Sequence, residues 1–332
     1  MSDNQSWNSG HKEGDSQDRD ALDNTSNENH FSTASTGFLH EQSWMERNGF
    51  PYWLSAIIWV VVAFLLFQLV GNTFAVVYML MVTDDPAGAF DVTLMLEHLN
   101  TIFLGNSIAQ ILFLGLGTWI VTGLSTTGKR SAFLRFQYDE KTVPVSLQTV
   151  LLIVVIQPLV WFLGWINAQV PLPESYMVME EMQMEMIESF LTADYAILMG
   201  LIHVGLVPSV CEEVLFRGYA HRLMEKSWGI WAAIIVGGLL FALFHIRITQ
   251  FIPLAFIGML LAWLVWRSES IYPAIVGHFV NNGGSVLLAA FFSDMMADQL
   301  ITAERPSFLL VFLSIGATFV VVRYIKKITK RD

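Results

Sequence analysis

Charged residues are scarce in this chain of 332 residues, because Asp, Glu, Lys and Arg together make up only 14% of it. A typical soluble domain carries about 25%. Hydrophobic residues account for 54%, and the mean hydropathy is +0.52. This composition excludes an ordinary soluble domain and indicates that the lipid bilayer is the solvent of the chain. The net charge is −11, much of it in the first fifty residues and in loops, and we expect no nucleic acid partner.

Cysteine is nearly absent, since Cys211 is the only one. A single cysteine cannot form an intramolecular disulfide, so cysteine usage says nothing about the redox compartment. Cys211 could be proposed as a nucleophile, but it belongs to none of the motifs described below. We interpret it as a small apolar filler.

A cleavable signal peptide is not predicted, because no apolar stretch begins near Met1. Residues 1–48 are rich in Ser, Asn, Asp, Gly and Gln, and between Asp15 and Asn29 the only apolar residues are Ala21 and Leu22. Such a segment buries too little surface to fold, so we expect a disordered polar tail. The first membrane helix then serves as the internal targeting signal.

Several apolar runs reach the roughly 20 residues that a helix needs to cross about 30 Å of hydrocarbon. We therefore predict an all-α fold, a polytopic membrane helix bundle of about eight transmembrane helices. The predicted segments are 53–82, 101–123, 145–167, 195–224, 229–246, 250–266, 271–292 and 307–324. The fifth and sixth are short, which suits a smaller tilt or partial burial in protein. The chain shows no internal repeat, which disfavours transporter folds built from inverted halves.

Basic and acidic loops alternate along the chain. Lys and Arg collect on the cytoplasmic side of membrane proteins, so both chain termini are predicted to be cytoplasmic. The basic residues are Lys129, Arg130, Arg135, Lys141, Arg222, Lys226, Lys326, Lys327, Lys330 and Arg331. The alternate loops hold Glu174, Glu180, Glu181, Glu185, Glu188, Asp294, Asp298 and Glu304. The Met-rich stretch 177–186 is interpreted either as a short interfacial helix or as a solvated loop.

The fourth segment contains two adjacent carboxylates, Glu212 and Glu213, inside an apolar run. A charge in the middle of a membrane helix costs at least roughly 2.5–3.5 kcal/mol, so each is a functional candidate. Glu213 and Arg217 are four residues apart and share a helix face, whereas Glu212 points about 100° away. Pro208 has no N–H to donate to the carbonyl of Val204, and this loosens the helix one turn before the two carboxylates. The alternative is a buried structural ion pair with a spare acid.

The fifth segment ends with Phe241 and His245, four residues apart on one face. A histidine of this kind is often an interfacial or core residue with satisfied hydrogen bonds. Its position favours a site, however, because Glu212 lies 16 residues before Trp228 and His245 lies 17 after it. If the two helices are antiparallel about a turn there, both side chains lie at similar depth.

The seventh segment begins with Ser270 as a candidate N-cap and Pro273 in its first turn, and it places His278 and Asn282 four apart on one face. A histidine and an amide on one stripe also serve as interhelical hydrogen-bond donors and acceptors. Together, the three segments supply a carboxylate, two imidazoles and an amide. Such a set suits activation of a water molecule and stabilisation of an oxyanion.

These residues resemble the CAAX-processing and bacteriocin-processing (CPBP) family of intramembrane proteases, over about residues 195–292. The motifs of that family, EExxxR, FxxxH and HxxxN, occur here in order. They are formed by Glu212, Glu213 and Arg217, by Phe241 and His245, and by His278 and Asn282. The chain then divides into the tail at 1–48, N-terminal transmembrane helices at 49–194, a catalytic core at 195–292, and a last helix with a basic tail at 293–332.

The resemblance implies a hydrolase that cleaves membrane-associated protein or peptide substrates. It implies that Glu212 and His245 activate the attacking water, while His278 and Asn282 stabilise the oxyanion. Glu213, Arg217 and Phe241 would support the site. Glu212, His245 and His278 also make a two-His, one-Glu set typical of catalytic zinc sites, so a zinc metalloprotease and a metal-free protease both remain open.

Two other functions fit part of the pattern. Intramembrane Glu, Arg and His also build ion pathways in transporters and channels. A non-catalytic scaffold or bacteriocin-immunity protein would keep the fold and motifs without turnover. CAAX-like peptides, bacteriocin leaders and membrane-anchored regulatory proteins are all open as substrates.

Overall fold

The computed structural model describes residues 42–83, 91–180, 182, 196–292 and 305–329. Helices account for nearly all of the secondary structure in these ranges, which contain no strand. The eight long helices are α1 (Tyr52–Val82), α2 (Leu99–Ser125), α3 (Thr142–Asn167), α4 (Ile197–Trp228), α5 (Ile230–Phe244), α6 (Phe251–Ser268), α7 (Tyr272–Phe291) and α8 (Phe308–Ile328). Shorter helical pieces are Trp44–Arg47, Val92–Glu97, Arg130–Phe133, Ile248–Gln250 and residues 174–180.

The predicted all-α, polytopic fold is confirmed. Within the described ranges, seven helices are long and apolar enough to cross a membrane, and α5 is a shorter apolar helix of 15 residues. Each of the eight predicted segments coincides with one of the helices α1 to α8, within a few residues at each end. Residues 1–41 of the predicted tail, and residues 181 and 183–186 of the Met-rich stretch, lie outside the described residues. Residues 42–48 contain the helix Trp44–Arg47 with Met45 buried, so the predicted tail boundary at 48 is too late by several residues. Residues 174–180 are helical.

Two backbone conformations set the ends of α5. Gly229, between α4 and α5, has φ of +79°, a conformation that glycine adopts at little cost. It makes the tight antiparallel turn that the sequence suggested near Trp228. At the other end, Ile246 has φ of +53°, which is unusual for a β-branched residue and stops the helix just after His245. The short α5 therefore ends beside the polar centre of α4.

The distribution of polar and apolar side chains is that of a membrane protein. On α8, Leu309 and Phe312 are 67% and 70% exposed, whereas Glu213 and Arg217 are fully or almost fully buried. Of the seven spanning helices in the described ranges, α4 is the most buried, with half of its most apolar stretch inside the protein. Glu213 and Arg217 of α4 therefore lie in the protein interior, shielded from hydrocarbon by apolar surfaces.

α5 and α6 cross at close range because small residues meet there. A Cβ added at Gly238 would lie 2.9 Å from the carbonyl oxygen of Ala255, and one added at Gly258 would lie 3.0 Å from the Cα of Gly238. Small residues commonly allow such close helix packing in membranes. The crossing leaves the Gly258 carbonyl accessible to α4, where it accepts a hydrogen bond from Arg217.

Candidate active site

The centre of α4 carries a buried ion pair. An Nη1–H of Arg217 donates to Oε1 of Glu213 at 2.8 Å, and Nη2 donates to the carbonyl of Gly258 on α6 at 3.1 Å. The guanidinium carbon lies 4.3 Å from the centre of the Phe241 ring on α5, within cation–π range. Arg217 thus joins α4, α5 and α6, and its charge opposes the buried charge of Glu213.

His278 of α7 contacts both glutamates. Its Nδ1 atom lies 2.8 Å from Oε1 of Glu213, and its Nε2 atom lies 4.0 Å from Oε2 of Glu212. Because a carboxylate oxygen accepts, Nδ1 carries the proton of this hydrogen bond. In the neutral ring, Nε2 then presents its lone pair towards Glu212.

His245 follows α5 directly and reaches the same carboxylate. Its Nδ1 atom is 2.8 Å from the carbonyl oxygen of Phe241, which can only accept, so Nδ1–H is the donor. Its Nε2 atom lies 3.8 Å from Oε2 of Glu212. The two histidines therefore approach one oxygen with their unprotonated nitrogens when both rings are neutral.

Oε2 of Glu212 is buried and has no hydrogen-bond partner among the described residues. An oxygen in this position is costly unless something donates to it. When both rings are neutral, Glu212, His245 and His278 all present acceptors here, which favours a donor such as a water molecule between them. No group of three His, Cys, Asp or Glu side chains in the described ranges is placed closely enough to hold a metal ion.

Asn282 lies one helical turn after His278 on α7. Its Nδ2 atom donates to the carbonyl oxygen of Val204 at 3.1 Å. Val204 is four residues before Pro208, which has no N–H to bond that carbonyl. The carbonyl of Val204, which Pro208 was predicted to leave free, is therefore an acceptor for the Asn282 amide.

The backbone next to His245 is held by two side chains, Asn167 at the end of α3 and Tyr176 in the short helix that follows. The Tyr176 hydroxyl donates to the Ile246 carbonyl at 3.2 Å and accepts from the Ile248 amide at 2.8 Å. The Asn167 amide donates to the Ile248 carbonyl and accepts from the Ile252 amide, both at 2.8 Å. These bonds stabilise the left-handed backbone at Ile246.

Glu180 adds an ion pair to this turn, because it accepts hydrogen bonds from the guanidinium of Arg247. Neither Asn167 nor Tyr176 was predicted from the sequence as a site residue. Both lie outside the three motifs, and their partners are backbone groups, which leave no pattern in the sequence.

Cys211 is buried on a different side of α4. A Cβ added at Gly115 of α2 would lie 3.4 Å from its sulfur, which is ordinary packing distance. Its position against α2 fits the interpretation as an apolar filler.

Comparison with known families gives one finding. Residues 194–284 match the Rce1-like family model, which is described as type II CAAX prenyl endopeptidase Rce1-like. No curated protein and no solved structure matches the chain significantly. The matched segment contains α4 to α6 and the part of α7 with His278 and Asn282, and it supports the resemblance to CPBP intramembrane proteases.

Proposed function

Starting from the Rce1-like match at residues 194–284, we propose that this chain is an intramembrane endopeptidase that hydrolyses peptide bonds of membrane-associated proteins or peptides. One observation carries the proposal: the buried Oε2 atom of Glu212 is faced by the Nε2 atoms of His245 and His278 at 3.8 and 4.0 Å. The family match and the membrane-spanning helices support a multi-pass membrane hydrolase.

In the proposed reaction, a water molecule donates hydrogen bonds to Oε2 of Glu212 and to Nε2 of His245. Glu212 takes one proton as the water oxygen bonds to the peptide carbonyl carbon, which forms a tetrahedral oxyanion. The protonated Glu212 then gives this proton to the leaving nitrogen as the C–N bond breaks. The products are a new carboxyl group and a new amine, and Glu212 returns to its starting state.

His278 and Asn282 are proposed to donate to the oxyanion. His278 can donate from Nε2 only when that nitrogen carries a proton, and the Glu213 carboxylate 2.8 Å from Nδ1 orients the ring for this role. Asn282 uses one Nδ2–H for Val204 and retains a second. Removing a single oxyanion donor commonly reduces kcat by about 10²–10³-fold.

A water held directly by the side chains fits the spacing better than a zinc ion. Zinc bonds of about 2.0–2.2 Å in a tetrahedral site bring its ligands to about 3.4 Å from one another. The separations of 3.8 and 4.0 Å at Glu212 are wider. If zinc binds, Glu212, His245 and His278 are the ligands that would hold it, and it would polarise the attacking water.

The first experiment compares the purified full-length protein with Glu212→Gln on a quenched membrane peptide in detergent. Glutamine keeps the volume and removes the basicity, so we expect kcat to fall by about 10²–10⁴-fold. Glu97→Gln makes the same chemical change at an exposed position and should keep full activity. Both variants should reach wild-type levels in the membrane.

The same materials separate the other functions. Full cleavage by Glu212→Gln would refute the mechanism, and ion flux in proteoliposomes without any cleavage would assign a transporter. A cellular phenotype that survives Glu212→Gln would assign a non-catalytic scaffold or immunity role. Where cleavage is found, the inactive variant can trap membrane substrates, which distinguishes CAAX-like peptides from bacteriocin leaders and membrane-anchored regulators.

A further inference from the structure

Three side-chain amides form a continuous chain from α3 to α4. Nε2 of Gln157 on α3 donates to Oδ1 of Asn281 on α7 at 3.3 Å. Nδ2 of Asn281 donates to Oδ1 of Asn282 at 3.2 Å, and Nδ2 of Asn282 donates to the Val204 carbonyl at 3.1 Å. Each amide therefore donates from its nitrogen to the next group in the chain. The oxygens of Asn281 and Asn282 accept from the amide before them.

Backbone carbonyls at both ends fix the direction of this chain. Gln157 also donates to the Ile153 carbonyl at 3.0 Å, so its NH₂ group must face α7 and its own helix. At the other end the contact is with the carbonyl oxygen of Val204, which can only accept, so the NH₂ group of Asn282 must face α4. Asn281 can satisfy both neighbours in one orientation alone. The assignment of oxygen and nitrogen in all three amides follows.

The chain of amides fixes the orientation of the Asn282 side-chain amide. Its oxygen is held by Asn281 and one of its N–H groups by Val204, which fixes the plane of the amide. The second N–H has no acceptor among the described residues. Amides bonded in series with one polarity also polarise each other, which strengthens the last donor.

We propose that Asn281 and Gln157 are positioning residues that hold the Asn282 amide ready to donate to the oxyanion. The inference rests on the proposed function, and it adds two residues that belong to none of the three motifs. The competing interpretation is that the amides merely join α3, α7 and α4, as polar residues between membrane helices often do.

A double-mutant cycle separates the two interpretations. Asn281→Leu keeps the approximate volume and removes both hydrogen bonds of the side chain. If Asn281 acts through Asn282, Asn281→Leu should reduce kcat by about 10- to 100-fold with KM little changed, because the loss affects the transition state. In an Asn282→Ala background the same change should have no further effect on kcat beyond about twofold.

Gln157→Leu breaks the chain from another helix and should give a smaller loss of the same kind. It also keeps the test valid if Asn281→Leu does not accumulate. Ser285→Ala is the matched control, since its hydroxyl donates to the backbone carbonyl of Asn281 on an exposed face of α7. This variant should keep the wild-type kcat.

The reference pair is the wild type and Glu212→Gln. Cleavage by the wild type that Glu212→Gln abolishes upholds the proposed function independently of the amides. Within that result, losses of Asn281→Leu and Asn282→Ala that multiply, accompanied by a lower melting temperature, would overturn the positioning role and leave a structural one. Wild-type kcat in both Asn281→Leu and Gln157→Leu would also overturn it.

Discussion

Nδ1 of His278 lies 2.8 Å from Oε1 of Glu213, the same oxygen that accepts a hydrogen bond from Arg217. A single buried carboxylate oxygen therefore joins a histidine of α7 to an arginine of its own helix. Glu213 is fully buried, and Arg217 is 2% exposed. Glu213 thus both neutralises a buried cation and orients an imidazole next to Glu212.

Glu213→Gln is predicted to reduce the amount of folded protein as well as its activity. The substitution leaves Arg217 as a buried charge without a charged partner, which costs roughly 3–5 kcal/mol. Melting temperature in detergent and abundance in the membrane measure this cost, with Glu212→Gln as the adjacent control that should keep both. Wild-type abundance of Glu213→Gln would show that Glu213 does not stabilise the fold.

The helical spacing predicted which residues of α4 share a face, and the structure places Glu213 and Arg217 2.8 Å apart. The contact between Glu213 and His278 could not be predicted in the same way. It depends on how α4 and α7 are rotated against each other, and α4 contains π-helical stretches at Leu201–Leu206 and Val214–Ala220 that change its register. Such irregular turns often occur at functional sites and have no clear sequence signature.

The helices themselves were easier to predict than their contacts, because each long apolar run meets a strong length requirement. α5 is an example of a helix whose end could not be predicted from the sequence. Its 15 residues are too few for a typical span, and its end depends on the left-handed backbone at Ile246. That conformation is stabilised by Tyr176 and Asn167, which are distant from Ile246 in sequence. No local sequence pattern therefore predicts it.

Tyr176→Phe is predicted to lower activity more than stability. The change removes the hydroxyl that bonds the Ile246 carbonyl and the Ile248 amide, and so it loosens the turn that holds His245. We expect kcat to fall by about tenfold, since small displacements of a reacting group are costly. Tyr324→Phe, at an exposed position of α8, is the control. Unchanged kcat in Tyr176→Phe would mean that the turn holds His245 without this hydroxyl.

Chelation is predicted to leave activity intact. The separations around Glu212 fit a water held by side chains, so dialysis against a chelator should change neither kcat nor the melting temperature. The measurement is cleavage of the membrane peptide before and after treatment, followed by addition of zinc. Activity that chelation removes and zinc restores would identify Glu212, His245 and His278 as metal ligands, and zinc would then raise the melting temperature of the wild type but not of His278→Ala.

The helix bundle is predicted to have its basic end on the cytoplasmic side of the membrane. At one end of the helices, Arg135 pairs with Glu225 at 3.0 Å, and Arg267 donates to the Lys326 carbonyl. The basic residues that flank α2, α4 and α8 lie at this end of their helices. Because Lys and Arg favour the cytoplasmic side, we expect this end, and with it both chain termini, to be cytoplasmic.

Thiol labelling tests the orientation, because Cys211 is the only native thiol and is buried. In a Cys211→Ala background, Gly10→Cys and Lys330→Cys should resist a membrane-impermeant maleimide in intact cells and react after the cells are opened. Glu97→Cys, at an exposed position between α1 and α2, should react in intact cells because it lies on the opposite side. Labelling of Gly10→Cys or Lys330→Cys in intact cells would contradict the predicted orientation. It would show that the distribution of Lys and Arg does not set the topology of this protein.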